Sequence, residues 1–177
     1  MKKLLILFLI FFSLSLTVHA EDTTKSNDTN SKNSNISLAE NAKSAIMLEA
    51  STGKIIFEKN ANEKLPMASM TKMMSMLLIM EEIESGNLKW DEMITTSEKA
   101  SSMGGSQIFL KVGEKMSVTD LLKGVAIASG NDAVVALAER ISGSEEAFVK
   151  RMNTRAKDLG LRNTNFVNAT GLTADNH

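Results

Sequence analysis

The sequence predicts an α+β fold. A β-hairpin pattern over residues 44–59 and a succession of helical patterns between residues 66 and 159 carry that prediction. Strands gathered at one end and helices following them argue against an alternating βαβ layout.

The hairpin comes first. Residues 44–50 (Ser-Ala-Ile-Met-Leu-Glu-Ala) and 54–59 (Lys-Ile-Ile-Phe-Glu-Lys) read as strands, and Ser51-Thr52-Gly53 is a short turn with glycine. A polar connection over 60–65 ends at Pro66, which leads into a helix running to about Ser85 and stopped by Gly86. From Met70 to Met80 this helix is apolar nearly all round, interrupted mainly by Thr71, Lys72 and Ser75. Such a helix belongs in the middle of a globule and is expected to be the centre of this one. It is too short to span a bilayer.

Residues 93–95 suit a short strand, 97–102 a helical turn, and Met103-Gly104-Gly105-Ser106 a flexible loop, with 107–110 extended. Ser117, with Asp120 three residues on, is an N-cap for a helix through Ala128. Ser129-Gly130-Asn131-Asp132 breaks it, and a second helix follows over 133–141. A third runs over 145–159 with Ser144 as its cap, Gly160 as its stop, and Phe148, Met152, Ala156 and Leu159 on its inner face. Residues 161–177 read as loop, with 165–167 extended, and no internal repeat is present.

Three segments are expected along the chain. Residues 1–20 have the form of a secretory signal peptide: Lys2 and Lys3, an apolar run over 4–16, and a Val18-His19-Ala20 cleavage site. A retained anchor is the alternative; the short run and the following cleavage site favour removal. Residues 21–37 are polar and read as a disordered linker. Residues 38–177 form the folded domain.

Composition narrows the chemistry. The formal charge is −1 and becomes about −3 once Lys2 and Lys3 are removed, with no basic patch, so no nucleic-acid partner is expected. There is no cysteine, hence no thiol nucleophile, disulfide or cysteine metal site. Of two histidines, His19 leaves with the signal peptide and His177 is the last residue, so a serine–histidine–acid triad would rest on a terminal, mobile side chain. A histidine-rich metal site is excluded on the same count.

A serine–lysine pair remains. Ser69 and Lys72 lie three residues apart and share a face at the start of the apolar helix. A buried lysine loses proton affinity, because low dielectric disfavours its charged form, and a neutral amine beside a hydroxyl can act as its base. Met70, Met73, Met74 and Met76 are placed to close around it. Ser-x-x-Lys is a weak pattern and occurs twice; the other copy, Ser51 to Lys54, falls in the hairpin turn and reads as structural. Ser-Gly-Asn also occurs twice. Ser85-Gly86-Asn87 lies about 24 Å along the helix from Ser69 at ~1.5 Å per residue, too far to join a site there. Ser129-Gly130-Asn131 sits between two helices that can pack on the first, and can face Ser69 and Lys72. Asn131 or Asp132 is also suited to capping the following helix.

Ala68-Ser69-Met70-Thr71-Lys72 followed by Ser129-Gly130-Asn131-Asp132-Ala133 resembles the low-molecular-mass penicillin-binding proteins of the D-alanyl-D-alanine carboxypeptidase type. The resemblance covers residues 44–177. It takes in Gly105-Ser106 with Phe109-Leu110, Gly113-Glu114, Gly143-Ser144-Glu145, Leu159-Gly160-Leu161 with Asn163-Thr164 and Phe166, and Gly171-Leu172. It implies a β-lactamase/transpeptidase-like fold, a helix cluster packed on an antiparallel sheet. It also implies an exported enzyme acting in the cell envelope on peptidoglycan stem peptides ending in D-Ala-D-Ala, inhibited covalently by β-lactams, with no metal or organic cofactor. The implied catalytic residues are Ser69 as nucleophile, Lys72 as base and Ser129 as proton relay, with Asn131 binding substrate.

The chain departs from the family in one respect. No Lys-Thr-Gly box is present, and the C-terminal strands, helices and membrane-binding tail are expected to be missing from a chain that is the N-terminal part of the catalytic domain. Little or no carboxypeptidase turnover is expected of it, and an exposed apolar face and strand edge are expected with it. A D,D-endopeptidase, a β-lactamase or a truncated, non-catalytic peptidoglycan- or penicillin-binding envelope protein are the alternatives.

Overall fold

The computed structural model describes residues 38–177, so the signal-peptide and linker readings lie outside the described residues. The chain divides into two units, 1–42 and 43–177. Within the first, residues 38–42 form a turn in which the Ala42 N–H donates to the Ala39 carbonyl at 3.0 Å.

The second unit opens with the expected hairpin. Strands β1 (Ala45–Leu48) and β2 (Ile55–Lys59) pair antiparallel, Ile46 opposite Glu58 and Met47 opposite Phe57, with a bulge between Met47 and Leu48. The turn is built on Glu49, whose carboxylate accepts from the Ser51 hydroxyl at 2.8 Å, the Thr52 N–H at 2.7 Å and the Thr52 hydroxyl. Ile46, Met47, Leu48, Ile55 and Ile56 are all exposed. A second antiparallel pair joins β3 (Met93–Thr95) to β4 (Lys115–Ser117), Ile94 opposite Met116.

The helices are a 3-10 turn over Ala68–Thr71, α1 (Lys72–Glu84), α2 (Glu98–Ser101), α3 (Val118–Ala128), α4 (Asn131–Ser142) and α5 (Glu145–Asp158). Ser97, Ser117 and Ser144 cap α2, α3 and α5 through their hydroxyls, each accepting the N–H three residues on. Helix α4, not α1, occupies the centre. Residues 131–138 are buried without interruption, and α1, α2, α3, α5 and β3 all pack on α4. Its Ala133-Val134-Val135-Ala136-Leu137-Ala138 run is apolar on every side and small enough for neighbours to approach closely. Helix α1 and the turn before it instead keep a wet face: Met70 in the turn and Met73 in α1 are 68% and 65% exposed, while Met74, Leu78 and Ile79 are buried. Leu159, expected on the inner face of α5, is exposed just beyond the helix end, whereas Phe148, Met152 and Ala156 are buried as expected. Residues 107–110 and 165–167 are irregular rather than strand.

Candidate active site

The turn that carries Ser69 is a 3-10 turn, tighter than the α-helical start the sequence suggested. Ala68 enters it with φ +47, a left-handed conformation that costs a non-glycine residue about 1 kcal/mol. The Lys72 N–H bonds back to the Ser69 and Met70 carbonyls, and Lys72 becomes the first residue of α1. Ser69 is left exposed while Lys72, three residues on, is 2% exposed.

The Lys72 amine lies 3.3 Å from Ser69 Oγ and donates to the Thr170 carbonyl at 2.8 Å. Among the described residues no carboxylate pairs with it. Burial pushes its pKa down from the usual lysine value, the direction a base requires. The expected methionine enclosure is only partial, since Met70 and Met73 face solvent. The amine's main-chain partner comes from a strap over residues 166–177, within the stretch that the sequence marks as loop with 165–167 extended.

The strap is tied down at several points. Asn168 Oδ1 accepts from the Thr170 N–H at 3.1 Å, the Thr170 hydroxyl at 3.0 Å and the Gly171 N–H at 2.7 Å, a side-chain-closed turn. The buried Ser75 hydroxyl donates to the Ala169 carbonyl at 2.7 Å, and the Ala169 N–H to Glu145 Oε1 at 3.0 Å. Asn153 pairs with Phe166 through both main-chain groups, at 2.7 and 2.8 Å. Gly171, at φ +84, lies flush on the serine turn: a Cβ there would stand 1.8 Å from the Ala68 carbonyl oxygen.

Ser129 and Asn131 flank the junction of α3 and α4. Ser129 ends α3 with φ +56, and its hydroxyl is buried with no hydrogen-bond partner. Asn131 Nδ2 donates to the Gly104 carbonyl at 2.7 Å, while Oδ1 is buried and unpartnered. Asn131 does not cap α4. The neighbouring Asp132 takes the Ala133 N–H at 2.9 Å and also accepts from Ile108 and Leu110, pinning the 104–110 loop. The strap links this corner to the serine turn. A Cβ on Gly105 would meet Asn131 Nδ2 at 2.8 Å and Leu172 at 3.4 Å, and the adjacent Gly171 backs on Ala68 and Ser69. Gly105 thus lies between Asn131 and Leu172 of the strap, next to the Gly171 that backs on the serine turn.

His177, expected to be a loose chain end, has partners for both ring nitrogens. Its Nε2 lies 2.7 Å from Thr71 Oγ1, its Nδ1 accepts from the Val167 N–H at 3.0 Å, and its ring meets Phe166 edge-on at 6.2 Å. A cleft of about 790 Å³ is lined by residues 61–67, 160–165 and 176–177, and none of the four predicted site residues borders it. Among the described residues no group of three or more metal-binding side chains converges, and no helix is long and apolar enough to cross a membrane.

The D-alanyl-D-alanine carboxypeptidase family model matches residues 23–177. The chain belongs to that family. It is 61% identical over 140 residues to the D-alanyl-D-alanine carboxypeptidase DacF of Bacillus subtilis, covering 79% of this chain and 36% of the relative. Its structure is similar to that of the D-alanyl-D-alanine carboxypeptidase DacD of Francisella tularensis, with TM-score 0.74 and 44% identity over 76% of this chain and 32% of the other. It is also similar to penicillin-binding protein D2 of Listeria monocytogenes in its ampicillin-bound form, with TM-score 0.69 and 31% identity over 80% of this chain and 56% of the other. The chain spans about a third of the length of the first two relatives. These neighbours bear out the β-lactamase/transpeptidase-like fold expected from the Ser69-x-x-Lys72 and Ser129-Gly130-Asn131 boxes.

Proposed function

We propose that these residues form the acylation centre of an exported serine-type D-alanyl-D-alanine carboxypeptidase, acting in the cell envelope on stem peptides that end in D-Ala-D-Ala. The observation that carries the reading is a buried lysine without a carboxylate partner, 3.3 Å from an exposed serine hydroxyl. As Ser69 Oγ attacks the carbonyl between the two D-alanines, its proton passes to the Lys72 amine. N–H groups at the start of α1 favour the negative charge that develops nearby. The C–N bond breaks, the terminal D-alanine leaves with a proton relayed through Ser129, and an acyl-Ser69 ester remains. Asn131 holds the substrate amide. Its unpartnered Oδ1 and the Ser129 hydroxyl are the buried polar atoms a substrate would satisfy, each costing about 1–3 kcal/mol while unpaired. Water then hydrolyses the ester. A β-lactam follows the same first step: its ring amide opens, and the leaving nitrogen stays attached, so the acyl-serine is long-lived.

The ampicillin-bound form of the Listeria relative supports β-lactams as ligands of this centre. The test is intact-mass spectrometry of the purified chain with a penicillin, beside Ser69→Ala. One adduct per chain is expected, absent from the variant. An adduct that survives Ser69→Ala, or no adduct on the unaltered chain, overturns the reading.

A further inference from the structure

Thr71 lies between the proposed nucleophile and its base, and its side chain is 1% exposed. Its hydroxyl faces neither of them; it meets the imidazole of His177, 106 residues away along the chain. The two ring nitrogens have different partners. A main-chain N–H can only donate, so Nδ1, 3.0 Å from the Val167 nitrogen, must be the acceptor. Nε2 therefore carries the hydrogen and donates to Thr71 Oγ1, which fixes one neutral tautomer. The Phe166 ring edge backs the imidazole, and Phe166 is itself locked by Asn153. Two further bonds, His177 N–H to the Ala174 carbonyl and Asn165 Nδ2 to the Asn176 carbonyl, close the end of the strap around the ring.

The geometry points to His177 as a positioning residue for the Ser69 turn, acting through the Thr71 hydroxyl. The strap grips this turn from three sides: Thr170 holds the Lys72 amine, Gly171 backs the Ala68–Ser69 peptide, and His177 holds Thr71. The first two contacts lie on adjacent strap residues, and the third comes from His177, six residues beyond Gly171. Without it the Thr71 hydroxyl is buried and unpaired, and the strained 3-10 turn that Ala68 enters at φ +47 loses its brace. The inference rests on the proposed acylation role of Ser69 only for its consequence, not for the contact itself.

Three substitutions test it in the full chain: His177→Ala, Thr71→Val and His177→Gln. A carboxamide carries a donor nitrogen and an acceptor oxygen side by side, and can serve both partners as this tautomer does. Amide hydrogen exchange is measured at Met70 and Lys72 and, as an internal reference, at residues 133–138 of α4. His177→Ala and Thr71→Val are each expected to speed exchange in the turn at least ten-fold with α4 unchanged, the double variant adding little to either. His177→Gln is expected to restore the unaltered rate. A long-range nitrogen-15 spectrum should show the Nε2–H tautomer. Unchanged turn exchange in Thr71→Val, or a His177→Gln variant no better than His177→Ala, overturns the proposal. Penicillin acylation, read in parallel, should fall ten-fold or more in the first two variants and recover in the third. If the unaltered chain forms no adduct, the acylation reading fails while the exchange data still decide the positioning role.

Discussion

In the hairpin, the Ser51 hydroxyl donates to the Glu49 carboxylate and Lys54 stands exposed beyond it. At the start of α1, the Ser69 hydroxyl is exposed and Lys72 is buried 3.3 Å away. Both stretches are Ser-x-x-Lys. The difference lies in what surrounds each lysine. Lys54 is exposed to solvent. The 166–177 strap covers Lys72, offers it a single carbonyl, and brings no carboxylate. A serine near a lysine is common; a serine beside a lysine whose pKa burial lowers is what the proposed nucleophile and base require.

The sharpest break of this contrast is charge-preserving. Lys72→Arg keeps a cation but supplies no base at accessible pH, and should slow Ser69 acylation by 10²–10⁴-fold or more. Lys54→Arg should leave it unchanged. In the unaltered chain the acylation rate should climb with pH as the Lys72 amine deprotonates, through a midpoint below the usual 10.5 because burial lowers it. Stopped-flow fluorescence with a labelled penicillin reads both. Undiminished acylation in Lys72→Arg, or a midpoint at or above 10.5, would remove Lys72 as the base.

Two glycines sharpen the contrast in stability. Gly53 and Gly171 both have positive φ, +68 and +84, but a Cβ on Gly53 meets nothing within 4 Å. Gly53→Ala should cost about 1 kcal/mol, the left-handed penalty alone. Gly171→Ala adds a collision with the Ala68 carbonyl that no rotamer relieves, and should cost about 3 kcal/mol or more. Urea denaturation compares them. Equal losses would mean that the strap does not grip the serine turn.

These contrasts also mark what the sequence could disclose. Ser117 and Ser144 announced α3 and α5 through capping chemistry that is local by nature. Ser69, Lys72, Ser129 and Asn131 are legible as boxes, and the structure places Ser69 beside Lys72 under the Thr170 carbonyl. The central helix was misjudged because long methionines outweighed alanines: residues 133–138 are apolar on every side too, and small residues pack closer. Strand β4 pairs three residues, too few for any period to emerge. Thr170 could not have been found, since its contribution is a main-chain carbonyl that every residue carries. Asn168, three residues before Gly171, was the available signal for that turn. His177 was set aside as a chain end, although position along the chain says nothing of partners 106 residues away.

The smallest expected effect tests whether the two copies are independent. The pKa of Glu49 falls from 4.5 to about 2, first through the Thr52 hydroxyl, then the Ser51 hydroxyl and the main-chain N–H groups of both residues. The sign follows from the depressed value: the carboxylate favours the folded turn above pH 4.5, and that contribution fades as pH falls toward 2, because the unfolded chain takes up the proton first. A carbon-13 titration of the Glu49 carboxyl should show a midpoint near 2, with the Ser51 and Thr52 amide shifts following it. Glu49→Gln should abolish that titration while Ser69 acylation at neutral pH stays as it was. A midpoint near 4.5 would mean that the turn does not hold its carboxylate. A change in acylation would mean that the hairpin copy of Ser-x-x-Lys is coupled to the site after all, and the separation drawn between them would fail.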